Sequence, residues 1–167
     1  MEAKYVFAYV YQLLLDNKLI SKEDRKDAKI KTNKVIYFAE LMHRILFKKE
    51  LITNANYYCL CYGPAIDIKQ LDIDEKLINL DKIKNYSNQL SEEEKEEISI
   101  CVKDFFAKME TEELIDITHK DNKYFPLEAW KDNISNNRYG EVPLSNEDLD
   151  KDAKILRDSL LQKYFKD

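Results

Sequence analysis

Apolar residues recur along this chain at helical spacing, in stretches separated by runs of charge. Residues 5–15, YVFAYVYQLLL, are apolar except for Gln12. The run is too short for a membrane span, which needs about 20 such residues. It also lacks the basic leader and small-residue cleavage site of a signal peptide, and Asp16, Asn17 and Lys18 end it. A helix apolar on nearly every side belongs inside a bundle, so a central helix is predicted over 3–18. A charged connector follows over 19–31, in which Ser21 with Asp24, or Asp27 alone, can cap the next helix. Val35, Ile36, Ala39, Met42, Ile45 and Leu46 then recur at steps of three and four, and Tyr37 and Phe38 widen that face. The spacing predicts a helix running to about Lys48, packed on the first one, with Lys48 and Lys49 near its negative pole.

Residues 51–62 are less regular. Asn54, Asn56, Tyr57 and Tyr58 fit a short extended segment, the one plausible strand. Gly63-Pro64 then breaks the chain, in a sequence with 2 Gly and 3 Pro. Proline fixes φ, and glycine relieves the clash that a following proline imposes. Residues 66–90 alternate apolar and acidic positions (Ile66, Ile68, Leu71, Ile73, Leu77, Ile78, Leu80, Ile83) and predict short helices and loops.

The second half carries clearer signals. Ser91 and Glu94 form a capping box ahead of an apolar stripe of Ile98, Cys101, Val102, Phe105, Phe106 and Met109, a helix reaching about Lys108. Thr111 opens a short helix with Leu114, Ile115 and Ile117 inward. Pro126 suits the first position of another, which carries Trp130, and residues 133–140 read as a polar loop. Ser145 with Asp148 caps a last helix whose apolar face is Leu149, Ala153, Leu156, Leu160 and Leu161, with Tyr164 and Phe165 near its end. The fold class is mostly α: a single compact helical domain over 1–167, of about six helices with at most a short extended segment.

Composition narrows the function classes. Hydrophobic content of 44% with 35% charged residues describes a globular chain of 167 residues. Net charge is -5, from 32 acidic against 27 basic residues, and there is no basic arm, so nucleic-acid binding is weak at most. Three cysteines, an odd number, argue for a reducing cytoplasm and against a disulfide framework. Cys59-x-Cys61 with a distant Cys101 does not match zinc-ligand spacing, and His43 lies on the apolar side of its helix. No metal, cofactor or membrane is therefore predicted. Glu40 with His43, and His119 with Asp116 and Asp121, resemble acid–base pairs, but a chain this charged places carboxylates near histidines by chance. There is no Gly-rich phosphate loop, HExxH, Gly-x-Ser-x-Gly or CxxC, and the chain reads as non-enzymatic.

One constellation points further. The run Asn33-Lys34-Val35-Ile36-Tyr37-Phe38-Ala39, Gly63-Pro64 beyond it, and later Leu114, Thr118-His119, Pro126 and Trp130 resemble the SocA-like antitoxin (Panacea, phage-associated) family, most strongly over 29–130. This chain has Cys59-Leu60 where that family carries Ala-Trp before Gly-Pro, and Trp130 stands four residues beyond Pro126 instead of beside it. The resemblance implies an antitoxin that binds and neutralises a toxin encoded nearby, or delivers it to a protease as an adaptor. It marks Lys34, Tyr37, Gly63, Pro64, Thr118, His119 and Trp130 as partner-binding. Tyr57, Tyr58 and Tyr62 join them because rigid rings with polar ends suit recognition. The same residues also fit structural roles, with Tyr37 in the core under Lys34 and His119 satisfying the last carbonyls of its helix. The alternative reading is a phage or mobile-element regulatory protein contacting nucleic acid, which a clustered basic surface would favour. A small hydrolase using His119 and nearby carboxylates is the third.

Overall fold

A single long helix organises the computed structural model, which describes residues 1–66, 71, 79–102, 106–119, 127–136, 140 and 142–165. The elements in order are α1 (Ala3–Asp16), α2 (Arg25–Phe47), β1 (Tyr57–Leu60), β2 (Gly63–Ile66), α3 (Leu80–Ser87), α4 (Glu92–Val102), α5 (Thr111–His119), α6 (Ala129–Ser135) and α7 (Asn146–Phe165). Helix α2 packs against α1, α4, α5, α7 and β2, so most of the other elements surround it. The architecture is mostly helical, as the periodicity predicts, with one small antiparallel sheet.

Asp24 caps α2, its side chain accepting from the Asp27 amide at 3.1 Å, while Ser21 instead donates to Glu23. The helix ends on Lys48 at φ 58°, a left-handed conformation more often given to glycine. Every residue from Lys34 to Leu41 is buried, because neighbours cover all sides of the helix there. Past Leu41 it emerges. Met42 and Ile45 are therefore half-buried, and Leu46, expected inside, is 47% exposed. The polar Lys34, Glu40 and His43 are buried in exchange.

Helix α1 buries Val6, Phe7, Val10, Tyr11 and Leu14, as its apolar composition demands. Fully burying a large side chain of this kind stabilises by roughly 1.5–3 kcal/mol. Phe38 stacks on Phe106 with ring centroids 4.3 Å apart, tying α2 to the segment after α4. Both capping boxes form. Ser91 and Glu94 exchange bonds of 2.9 and 3.1 Å, and Ser145 and Asp148 exchange bonds of 3.1 Å.

Four features differ from the periodic reading. Helix α4 is described over Glu92–Val102, and Phe106–Met109 forms a turn where the apolar stripe predicts helix. Helix α6 starts at Ala129, with Pro126 outside the described residues, and it runs through Asn133 where a loop is expected. The inward face of α7 is Leu149, Ala153 and Leu156; Leu160 is half-buried and Leu161 is 48% exposed. The extended segment has a partner strand, since Gly63–Ile66 pairs antiparallel with Tyr57–Leu60, Leu60 opposite Gly63. Cys61 and Tyr62 make the two-residue turn without positive φ, and Gly63 at φ 99° completes the reversal. That left-handed torsion, more than relief of a pre-proline clash, is what requires glycine.

Candidate functional site

The β1–β2 hairpin is mounted on both of its outer edges. On the β1 side, Gly140 donates its amide to the Cys59 carbonyl at 3.0 Å and Leu144 donates to Tyr57 at 2.8 Å. On the β2 side, helix α2 supplies side chains in place of a strand. The Asn33 amide nitrogen donates to the Ile66 carbonyl at 2.9 Å, and its oxygen accepts from the Ile66 amide at 3.0 Å. The next residue, Lys34, donates from Nζ to the Pro64 carbonyl at 2.9 Å. A strand edge left bare invites pairing with other chains, and these bonds occupy it.

Buried polar groups continue beneath the hairpin. The Tyr37 hydroxyl donates to Asp152 Oδ2 at 2.7 Å, and its ring meets Tyr57 edge-on at 5.4 Å. Asp152 Oδ1 accepts from the Glu128 and Ala129 amides at 2.9 and 3.1 Å, so a carboxylate of α7 caps the start of α6. Glu40 accepts from the Leu51 and Ile52 amides, from the Tyr57 hydroxyl at 3.4 Å and from Arg44 Nε at 2.7 Å. The rest of the Arg44 fork reaches Asp150 at 2.8 Å and Asn146 at 2.9 Å on α7. These bonds lock α2, the hairpin, α6 and α7 together.

Burial sets the proton affinities here. It brings the Lys34 amine down to about 7, opposed by the charge of the neighbouring Cys59. Burial also pushes the Tyr37 and Tyr57 hydroxyls well above their ordinary value, with Asp152 and Glu40 as further causes. The Asp152 carboxyl is raised by burial against the pull of its three donors, and the Cys59 thiol is pushed up to about 11. Tyr37→Phe should therefore cost about 1–2 kcal/mol, the worth of a buried hydroxyl–carboxylate bond, when unfolding is followed in urea. An unchanged midpoint would mean that this bond contributes nothing.

The outer face of the hairpin is different. Tyr62 is 44% exposed at the turn beside the exposed Cys61, Tyr58 and Leu60 are half-buried, and Val142 on the flanking segment is 42% exposed. Trp130 is half-buried and braces this face, its indole nitrogen donating to the Leu60 carbonyl at 3.0 Å.

Of the residues marked from sequence, Lys34, Tyr37, Tyr57, Gly63, Pro64 and Thr118 are buried. All but Thr118 belong to the hairpin or to its seat; the Thr118 hydroxyl donates to the Ile115 carbonyl at 3.0 Å. His119 ends α5, and its side chain lies outside the described residues. Tyr62 is exposed, and Tyr58 and Trp130 are half-buried. Glu40 and His43 turn to different partners and do not form an acid–base pair. Asn33, Glu40, Arg44 and Asp152 were not singled out as a set. The i,i+4 spacing of Glu40 and Arg44 is a readable local signal, whereas Asp152 lies 115 residues from its tyrosine.

The seat of the hairpin lies in a recognisable stretch: the model of the antitoxin SocA-like, Panacea domain family matches residues 32–125. The chain belongs to this family. The stretch matched in this Panacea-domain protein runs from the middle of α2 through α5 and contains Asn33, Lys34, Tyr37, Glu40 and the whole hairpin. Trp130 and the α7 partners Asp150 and Asp152 lie beyond it. No curated protein and no solved structure matches the chain. Among the described residues no helix is long and apolar enough to cross a membrane, and no group of three or more His, Cys, Asp or Glu is arranged to hold a metal ion.

Proposed function

We propose that this protein acts as an antitoxin by binding a toxin encoded near it, with the outward face of the hairpin as the contact surface. The observation that carries the reading is the family match over the segment that builds and seats the hairpin. The buried polar residues of that segment support one exposed turn, and a turn held on both edges presents its side chains with little ordering cost on binding. Tyr62 at the tip, with Tyr58 and Trp130 behind it, supplies the amphipathic rings that anchor protein interfaces. Hand-over of the captured toxin to a protease is a further step that the same contact would allow.

The test expresses the neighbouring gene with and without this one and scores growth, then repeats the rescue with Tyr58→Ala and Tyr62→Ala. Tyr62→Ala should abolish rescue and weaken binding of the purified toxin about 30-fold or more, as loss of an anchoring tyrosine does. Its thermal transition should stay within about 0.5 kcal/mol of wild type, because a side chain so exposed holds little of the fold. Full rescue by both folded variants would place the contact elsewhere. A neighbouring gene without toxicity would remove the antitoxin reading itself.

A further inference from the structure

We propose that His43, with a proton on each ring nitrogen, is a proton-dependent latch that fastens α4 to the chain leaving α2 and forms the floor of the cleft between them. The imidazole is 1% exposed and touches two oxygens. Nδ1 lies 3.0 Å from the Lys49 carbonyl, and Nε2 lies 3.0 Å from Glu97 Oε2. A carbonyl can only accept, and so can an ionised carboxylate. Glu97 is kept ionised: the hydrogen bond from His43 first, and Lys49 Nζ on its other oxygen at 3.2 Å, hold its carboxyl below the usual range. A neutral imidazole carries one N–H and can satisfy one of the two oxygens. The second contact therefore needs the second proton.

The surrounding charges fit this assignment. On its own helix, Glu40 is turned to Arg44 and to the Leu51 and Ile52 amides, and the Phe47 ring lies 4.8 Å from the imidazole. From α4 come Glu93, Glu94 and Glu97, with the Cys101 thiol one turn past Glu97; from the segment after α2 come Lys49 and Glu50. The amino group of Met1 completes the set, donating to the Leu51 carbonyl at 2.9 Å. His43, Met1, Lys49, Glu50 and the three glutamates of α4 line a cleft of about 680 Å³ whose walls are α4 and residues 49–53. A neutral ring holds one of the two oxygens and faces the other with a lone pair, so loss of one ring proton loosens the tie between α4 and residues 49–52. The latch stands apart from the hairpin face and does not depend on the antitoxin reading.

Ring-nitrogen NMR of the wild-type protein, titrated alongside amide hydrogen exchange, tests this. Two His43 ring N–H groups are expected on the acid side of its transition. As the pH rises through that transition, amides of the first turns of α4 and of residues 49–52 should exchange about tenfold faster beyond the intrinsic base catalysis, the scale of losing one such contact. Glu97→Gln keeps the shape without the charge and should flatten the pH dependence of exchange in α4. A single ring N–H throughout the range in which α4 stays folded would overturn the latch. So would exchange rates in α4 that ignore the state of the ring. If Glu97→Gln perturbs the fold, the wild-type titration decides alone.

Discussion

Glu40→Ala will lower the free energy of unfolding by about 3–5 kcal/mol, the range seen when one partner of a buried ion pair is removed. Glu40 is 1% exposed, and its two oxygens collect the Leu51 amide, the Ile52 amide at 3.1 Å, the Tyr57 hydroxyl and Arg44 Nε. Alanine leaves two buried amides without an acceptor, each costing about 1–3 kcal/mol. It also strands part of the Arg44 fork, which keeps Asp150 and Asn146. In a chain of this length the loss corresponds to a melting temperature lower by roughly 10 °C. Glu40→Gln should cost less, because its one remaining oxygen still accepts, but its amide nitrogen then faces a donor. Arg44→Ala should be cheaper in the Glu40→Ala background than alone, since the two share one network. A loss below about 1 kcal/mol in urea unfolding would show that water replaces the carboxylate freely.

The second large effect is a dependence of stability on pH that Lys34→Met removes. The folded-state value of about 7 lies below the ordinary 10.5 of the unfolded chain, because burial penalises the ammonium. Between those values the unfolded chain binds the proton and the folded chain does not. Stability therefore rises with pH across that window, and below about 7 the cost of the buried charge is present in full. The slope is about 1.4 kcal/mol per pH unit, so the gain from pH 7 to 9 is roughly 3 kcal/mol at most. Above 9 the gain is opposed. The Cys59 and Cys101 thiols, raised from 9.0 to about 11 and about 12, keep protons in the folded state that the unfolded chain has released. The raised Tyr37 and Tyr57 hydroxyls act in the same direction above 10.0. A stability maximum near pH 9 follows, and the difference between wild type and Lys34→Met isolates the lysine. Parallel pH profiles for the two proteins would refute the assignment of that slope to Lys34.

What the sequence by itself determined is what neighbours along the chain decide. The caps at Ser91–Glu94 and Ser145–Asp148 form as read, because donor and acceptor stand three residues apart in each. The helices over α1, α2, α5 and α7 follow from apolar spacing, and the motifs between Asn33 and Trp130 mark the family whose model matches 32–125. Tertiary structure decided the rest. The chain bonds Lys34 to Pro64 across 30 residues and Glu40 to Tyr57 across 17. Lys34 and Glu40 are thereby part of a polar interior, and Leu46 and Leu161, which read as core, stand in solvent. Helix α6 begins where Asp152 caps it, from a helix more than 20 residues further on. The second strand exists because Asn33 and Lys34 offer its edge the bonds that another strand would supply. Periodicity reports which side of a helix is apolar; how many of its sides are covered, and which buried polar groups meet, depends on contacts distant in sequence that no local pattern encodes.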